Sequence, residues 1–159
     1  MSPPSPAQRL VAYWQGLGTA WLSGVDPEAI RIFERQNEVV IPPDLREYFE
    51  CSNGTDGPDQ NGYWFWRFED LRPASKVYNL LTIPWAFIFA DYWEESWWYA
   101  VDLGRDDRRR SSGIYLLGDR SGEPLLICDS FREFVELYIS NDGRLNPRGA
   151  REYRDRMHR

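Results

Sequence analysis

The spacing of apolar residues changes twice along this chain, and that limits the folds open to it. Before residue 55 the apolar positions recur at helical spacing. Leu10, Val11, Tyr13, Trp14, Leu17 and Trp21 mark one stretch, Ile30 and Phe33 a second, and Leu45, Tyr48 and Phe49 a third. From Tyr63 to Cys128 the apolar residues fall into short aromatic and branched blocks separated by turn residues, the signature of strands. At Ser130 the helical spacing returns, with Phe131, Phe134, Val135, Leu137 and Tyr138 facing inward. Helices, then a strand meander, then a helix is the order of an α+β domain.

Local signals give the boundaries. Residues 1–6 hold three prolines and read as a disordered lead. The first helix runs from Ala7 to about Gln15, because Gly16 and Gly18 each weaken a helix by about 1 kcal/mol. Asp26 as N-cap with Pro27 at the first helical position opens the second helix, and Asn37, which tolerates a left-handed backbone, stops it. Val39–Ile41 is a short extended piece ending at Pro42, and Pro43-Asp44 starts the third helix. Asn53-Gly54 closes that helix, with Gly54 as a left-handed exit into a loop over 52–62. Strand candidates are Tyr63–Phe68, Trp85–Ala90, Trp97–Leu103, Ile114–Leu117 and Leu125–Cys128, while Leu71–Leu81 is ambiguous and reads at most as a short helix. Turn residues at 106–113 and 119–122 imply hairpins, hence an antiparallel sheet of about five or six strands. Ser130 caps the closing helix, and Asn146-Pro147 opens an Arg-rich one. The expected organisation is a single domain over 7–140 followed by an Arg-rich tail over 141–159.

Composition removes several chemistries. The only histidine is His158, and the two cysteines, Cys51 and Cys128, lie far apart. No residue set suits a zinc site, a Ser-His-Asp triad or a Cys-His dyad, and no catalytic residue, metal or cofactor is assigned. Two cysteines without a framework fit free thiols in a reducing cytoplasm. No stretch approaches the roughly 18 consecutive apolar residues of a membrane span, and the first residues lack the pattern of a signal peptide. The net charge of −6 is unevenly spread: residues 144–159 carry six arginines against Glu152 and Asp155, leaving −10 on the rest. Such a body repels nucleic acid and anionic membrane and attracts basic partners, although solubility alone also accounts for moderate negative charge. The tail arginines either grip phosphate or, more simply, pack on the acidic body or stay solvated.

Aromatics make up 16 % of the chain, enough to fill a core and leave some for a surface. The best local candidate for a binding surface is Asp91, Tyr92, Trp93, Glu94, Glu95 and Trp98, where carboxylates and aromatics crowd a loop between two strands. Aromatic residues anchor interfaces, and carboxylates pair with basic groups of a partner. Strand alternation adds Trp64 and Trp66 to one face and Tyr63 to the other, and the preceding loop adds Asp56 and Asp59. One of Trp97 and Trp98 must point into the core. The same carboxylates beside tryptophans would also suit a glycosidase, but adjacent Glu94 and Glu95 need not converge.

The ordered set Ile30, Phe33-Glu34, Ile41-Pro42, Leu45-Arg46, Tyr48-Phe49 and Asn53-Gly54 resembles the opening of the SUKH superfamily, which groups fungal cell-wall-assembly regulators with bacterial toxin-immunity proteins. The segment Ile127-Cys128-Asp129-Ser130-Phe131-Arg132-Glu133-Phe134 is similar to the closing strand and Ser-Phe-x-x-Phe helix of that family, so the resemblance covers Val25 to Ser140. Asn37 and Thr55 stand where the family often has glycine. The matching residues read as core and turn positions, a fold signature that does not locate a binding surface. The resemblance implies a non-enzymatic immunity protein, with a basic toxin domain, often a nuclease, as partner. Its alternative implication is a cytosolic scaffold module of the cell-wall-regulator kind. A carbohydrate-binding protein is a further reading, drawn from the exposed aromatics alone.

Overall fold

The computed structural model describes residues 2–76, 85–104 and 112–159. Helix α1 (Pro6–Leu17) opens on a reciprocal cap: Gln8 N–H donates to Ser5 Oγ at 3.2 Å, and Ser5 N–H donates to the Gln8 side chain at 2.9 Å. Ser5 and Pro6, expected in the lead, thus form the helix start. The helix also passes Gln15 and ends at Gly18, whose left-handed backbone (φ 71°) closes it. The buried Leu10 and Trp14 anchor it, and that packing outweighs the propensity cost of Gly16.

A short strand β1 (Trp21–Ser23) precedes α2 (Pro27–Asn37), which Asp26 caps as expected, accepting from Glu28 N–H at 2.8 Å. The left-handed residue that ends α2 is Glu38 (φ 53°), one position beyond Asn37; Asn37 instead donates its side-chain N–H to the Phe33 carbonyl at 2.9 Å. Helix α3 (Pro43–Cys51) ends differently from expectation. Ser52 is extended, and the chain runs directly into β2 (Ser52–Thr55), antiparallel to β1. Gly54 sits inside β2 at φ 80°, where a Cβ would come within 2.7 Å of the Trp66 carbonyl oxygen. Its role is close approach of two backbones rather than exit from a helix.

The main sheet follows. Strand β3 (Tyr63–Phe65), a 3-10 turn at Phe68–Asp70, β4 (Arg72–Pro73) and a second 3-10 turn at Ala74–Lys76 lead to β5 (Ala86–Tyr92). The rest of the ambiguous 71–81 segment lies outside the described residues, as do Arg105 and the turn residues 106–111. Strands β6 (Trp97–Asp102), β7 (Ile114–Leu117) and β8 (Leu125–Cys128) complete an antiparallel sheet in the order β3-β5-β6-β7-β8, with β4 also paired to β5. The closing α4 (Phe131–Ser140) is capped by Ser130, which accepts from Glu133 N–H at 3.1 Å. After a 3-10 turn at Gly143–Leu145, Asn146 caps α5 (Pro147–Met157). The fold is α+β, with five α-helices and this sheet among the described residues.

One face of the sheet is the core. Leu10 and Trp14 of α1, Leu45, Tyr48 and Phe49 of α3, and Phe131 and Phe134 of α4 pack with Phe65, Phe89 and Tyr99. Many of these rings meet edge to face, as in Trp14–Phe65 at 5.2 Å and Phe89–Phe134 at 5.1 Å. The opposite face carries a smaller cluster, Ala86, Ile88, Ala100 and Leu117, flanked by partly buried Trp66, Trp98 and Tyr115.

A bulge in β5 decides which side chains reach that outer face. Ile88 pairs with Ala100, but Ala90 pairs with Tyr99, so Phe89 is an extra residue. Phe89 and Ala90 both join the core, whereas regular alternation would send Ala90 outward. The phase of the strand is thereby reset. Asp91 emerges on the outer face, and Tyr92 turns inward to stack on Trp97 at 4.4 Å.

Candidate partner-binding site

The Asp91 carboxylate, 3 % exposed, organises the end of the β5–β6 hairpin. It accepts Trp66 Nε1–H at 2.6 Å on one oxygen and Glu95 N–H at 3.1 Å on the other. Burial raises its pKa, and these two hydrogen bonds offset part of that rise. The turn it holds is strained. Trp93, Glu94 and Glu95 all adopt left-handed backbones, at φ 46°, 53° and 61°. Each such non-glycine residue costs about 1–2 kcal/mol. The turn is closed by Ser96 N–H to the Tyr92 carbonyl at 2.9 Å, Ser96 Oγ–H to the Trp93 carbonyl at 2.7 Å, and Trp93 N–H to the Gly62 carbonyl at 2.8 Å. Gly62, at φ 94°, leaves room for the Trp93 ring: a Cβ there would lie 2.9 Å from it.

The two adjacent glutamates diverge. Glu95 accepts from Arg72 at 2.7 Å and from Trp98 Nε1–H at 2.9 Å, and the Trp98 bond is the main cause lowering its pKa, with Arg72 assisting. The Arg72 guanidinium also lies over the Trp66 ring, 4.9 Å from its centroid. Glu94 is exposed, takes no part in this network and, among the described residues, has no hydrogen-bond or ion-pair partner. Trp93 is 64 % exposed and Trp64, opposite Asp91 on β3, is 41 % exposed.

Two grooves meet here. One, of about 520 Å³, runs between Trp64, Trp66, Arg67, Asp70 and Glu94. The other, of about 350 Å³, runs between Pro58, Gln60, Gly62 and Trp93. Trp64, Asp91 and Glu94 line both and form their shared wall.

The candidate residues of the sequence therefore separate by role. Trp64, Trp93 and Glu94 form an exposed surface. Glu95 and Trp98 support it from the side, and Asp91 from below. Tyr92 faces the core. Asp56 is exposed but lines neither groove; its backbone N–H binds the Ala20 carbonyl at 3.0 Å. Asp59 is buried and committed: its carboxylate accepts Asn61 N–H at 2.8 Å, Tyr63 N–H at 3.0 Å and the Tyr138 hydroxyl, which in turn accepts Trp14 Nε1–H at 3.0 Å. It pins the 56–62 loop to α1 and α4, and it also lines the smaller groove. Sequence reasoning missed Arg67, Asp70 and Arg72. Arg72 falls in the ambiguous segment, and only the pairing of β4 with β5 brings it beside Glu95.

Elsewhere, four of the six tail arginines, Arg144, Arg148, Arg151 and Arg154, pair with acids of the body or of the tail itself. Arg151 bonds the buried Asp119, Arg154 reaches Glu123 at 3.2 Å, and Arg144 reaches Glu133 at 3.3 Å and covers the Tyr153 ring. Cys51 and Cys128 are unpaired, and desolvation raises both thiols. Among the described residues no cluster of His, Cys, Asp and Glu suits a metal ion, and no helix is long and apolar enough to cross a membrane.

In comparison with known proteins, the model of the SMI1/KNR4 family (SUKH-1) matches residues 24–137, most of the chain. No curated protein matches it.

Proposed function

The chain belongs to the SMI1/KNR4 family (SUKH-1), and from that membership we propose a non-catalytic binding protein that neutralises a secreted toxin domain by covering its active site. The observation that carries this reading is the Trp64–Trp93–Glu94 surface. The exposed Trp93 indole and the unpaired Glu94 carboxylate stand on a turn held in a strained conformation by Asp91, and the exposed Trp64 indole stands beside them on β3. Strain that the surrounding structure must hold in place is characteristic of binding sites. Asp91 and Glu95 are already committed to Trp66, Trp98 and Arg72, which argues against their acting as a general acid and base. The acidic body would steer a basic, nucleic-acid-cleaving partner in the cytoplasm, and the indoles would set the residence time.

The test begins by identifying a partner captured on the wild-type chain at low salt. Trp93→Ala and Glu94→Lys are then expected to weaken that complex about tenfold or more, as anchor residues do. Both should change folding stability by no more than about 0.5 kcal/mol. Association should slow as salt rises from about 0.05 to 0.5 M. Unchanged affinity in both variants would remove this face from the argument. Capture of several cell-envelope or housekeeping proteins, in place of one basic domain, would favour the scaffold role also associated with this family.

A further inference from the structure

Building on the reading of this face as the partner-binding surface, we infer that the larger groove receives the guanidinium of an arginine side chain from the partner protein. The groove already contains one finished example of that chemistry. Arg72 stacks over Trp66 at 4.9 Å and donates to Glu95 at 2.7 Å. Beside it, the same kinds of group recur without an ion pair, although Arg67 also lines the groove. Trp64 offers an exposed indole, and the carboxylates of Glu94 and Asp70 line the groove without a hydrogen-bond or ion-pair partner among the described residues.

The charge balance points the same way. The lining carries the carboxylates of Asp70, Asp91, Glu94 and Glu95 against the guanidiniums of Arg67 and Arg72, so a further cation is favoured over an anion. At about 520 Å³ the groove admits a side chain rather than a folded element, within the roughly 300–1,000 Å³ of small-ligand sites. Arginine fits better than lysine. Its plane stacks on indole, it sheds water more readily than an ammonium, and its forked donors can reach two carboxylates at once. Glu94 comes from the hairpin turn and Asp70 from the 3-10 turn before β4, so two separate elements supply acceptors.

The experiment uses the full chain, labelled with nitrogen-15, and three capped peptides: Gly-Gly-Arg-Gly-Gly and its citrulline and lysine counterparts. The arginine peptide should produce saturable shifts of the Trp64 and Trp66 indole N–H signals. The citrulline peptide, of equal shape but uncharged, should bind about tenfold more weakly. The lysine peptide should fall between them. Glu94→Gln and Asp70→Asn should each weaken the arginine peptide about threefold, the scale of a partly exposed ion pair. An unshifted Trp97 indole signal, reporting the core-facing Tyr99–Leu145 network, shows that each variant is folded.

No saturable shift, equal binding of arginine and citrulline, or indifference to both substitutions would overturn the inference. Its failure is distinguishable from failure of the binding reading. If Trp93→Ala abolishes the protein complex while the arginine peptide finds no site, the reading stands and the guanidinium assignment falls. If the peptide binds as described while the protein complex ignores Trp93→Ala and Glu94→Lys, the assignment stands and the reading falls.

Discussion

Replacing Asp91 with alanine tests whether one buried carboxylate holds the binding turn. The substitution removes the acceptor of Trp66 Nε1–H and of Glu95 N–H. Hydrogen bonds to a charged group are worth about 1.5–3 kcal/mol each. Against that loss stands the cost of burying the carboxylate, visible in its raised pKa, which the variant no longer bears. The balance is a destabilisation of about 2–3 kcal/mol. In a chain of this size that lowers Tm by about 6–9 °C. Asp91→Asn keeps one acceptor oxygen and should lose about half as much. Strain in the turn adds a second handle. Glu94 has a left-handed backbone and no described partner, so Glu94→Gly in the Asp91→Ala background should recover about 1 kcal/mol. Urea unfolding at neutral pH reads these differences, and the Trp66 indole N–H signal reports the lost bond. An Asp91→Ala chain within about 0.5 kcal/mol of wild type, the range of ordinary surface changes, would refute the assignment of Asp91 as the support of this turn.

Further outcomes follow from the same geometry. Gly62→Ala places a methyl 2.9 Å from the Trp93 ring at φ 94°, so it should cost about 1–2 kcal/mol and weaken partner binding by displacing Trp93, checked by urea unfolding and a binding titration. Tyr138→Phe removes the hydroxyl between Trp14 and Asp59 and should cost about 2–3 kcal/mol. Combining it with Asp59→Asn should cost less than the sum, because both act on one network, as a double-mutant cycle would show. The two carboxylates of the turn have opposite pH signatures. Asp91, raised in the folded state, contributes stability fully present below its ordinary 3.8 and lost as pH rises through its native value. Glu95, lowered, contributes stability present above its ordinary 4.5 and lost as pH falls through its native value. The stability of wild type relative to Asp91→Asn should therefore decline with rising pH in the first window. Relative to Glu95→Gln it should climb with rising pH in the second, both read by denaturant titration at successive pH values.

Much of the frame was legible because its causes are local. Asp26-Pro27, Ser130 and Asn146-Pro147 are helix starts whose capping groups lie within a few residues, and all three caps form where expected. Strands β7 and β8 coincide with their apolar blocks, and Trp97 takes the inward place of the Trp97–Trp98 pair. The misplacements have longer-range causes. Gly54 serves the crossing of β2 and β3, a contact between backbones that no helix-end rule anticipates. Asp59 lines the smaller groove, but its commitment to Tyr138 was not legible, because that partner lies 79 residues away.

Alternation and capping are properties of neighbours along the chain, so the sequence alone determined the helices, the strands from β5 to β8 and the crowding of aromatics with acids near residues 91–98. It also placed Trp64 and Trp66 on one face, since successive strand residues must alternate. Only the tertiary structure decided which of those acids are free to bind. The Phe89 bulge turns Asp91 outward, the β4–β5 pairing brings Arg72 to Glu95, and Glu94 is left without a described partner. The physical reason is that a carboxylate's availability depends on which donors reach it. Here those donors come from Trp66, Arg72 and Tyr138, residues that the sheet register and helix packing bring near and the linear order does not.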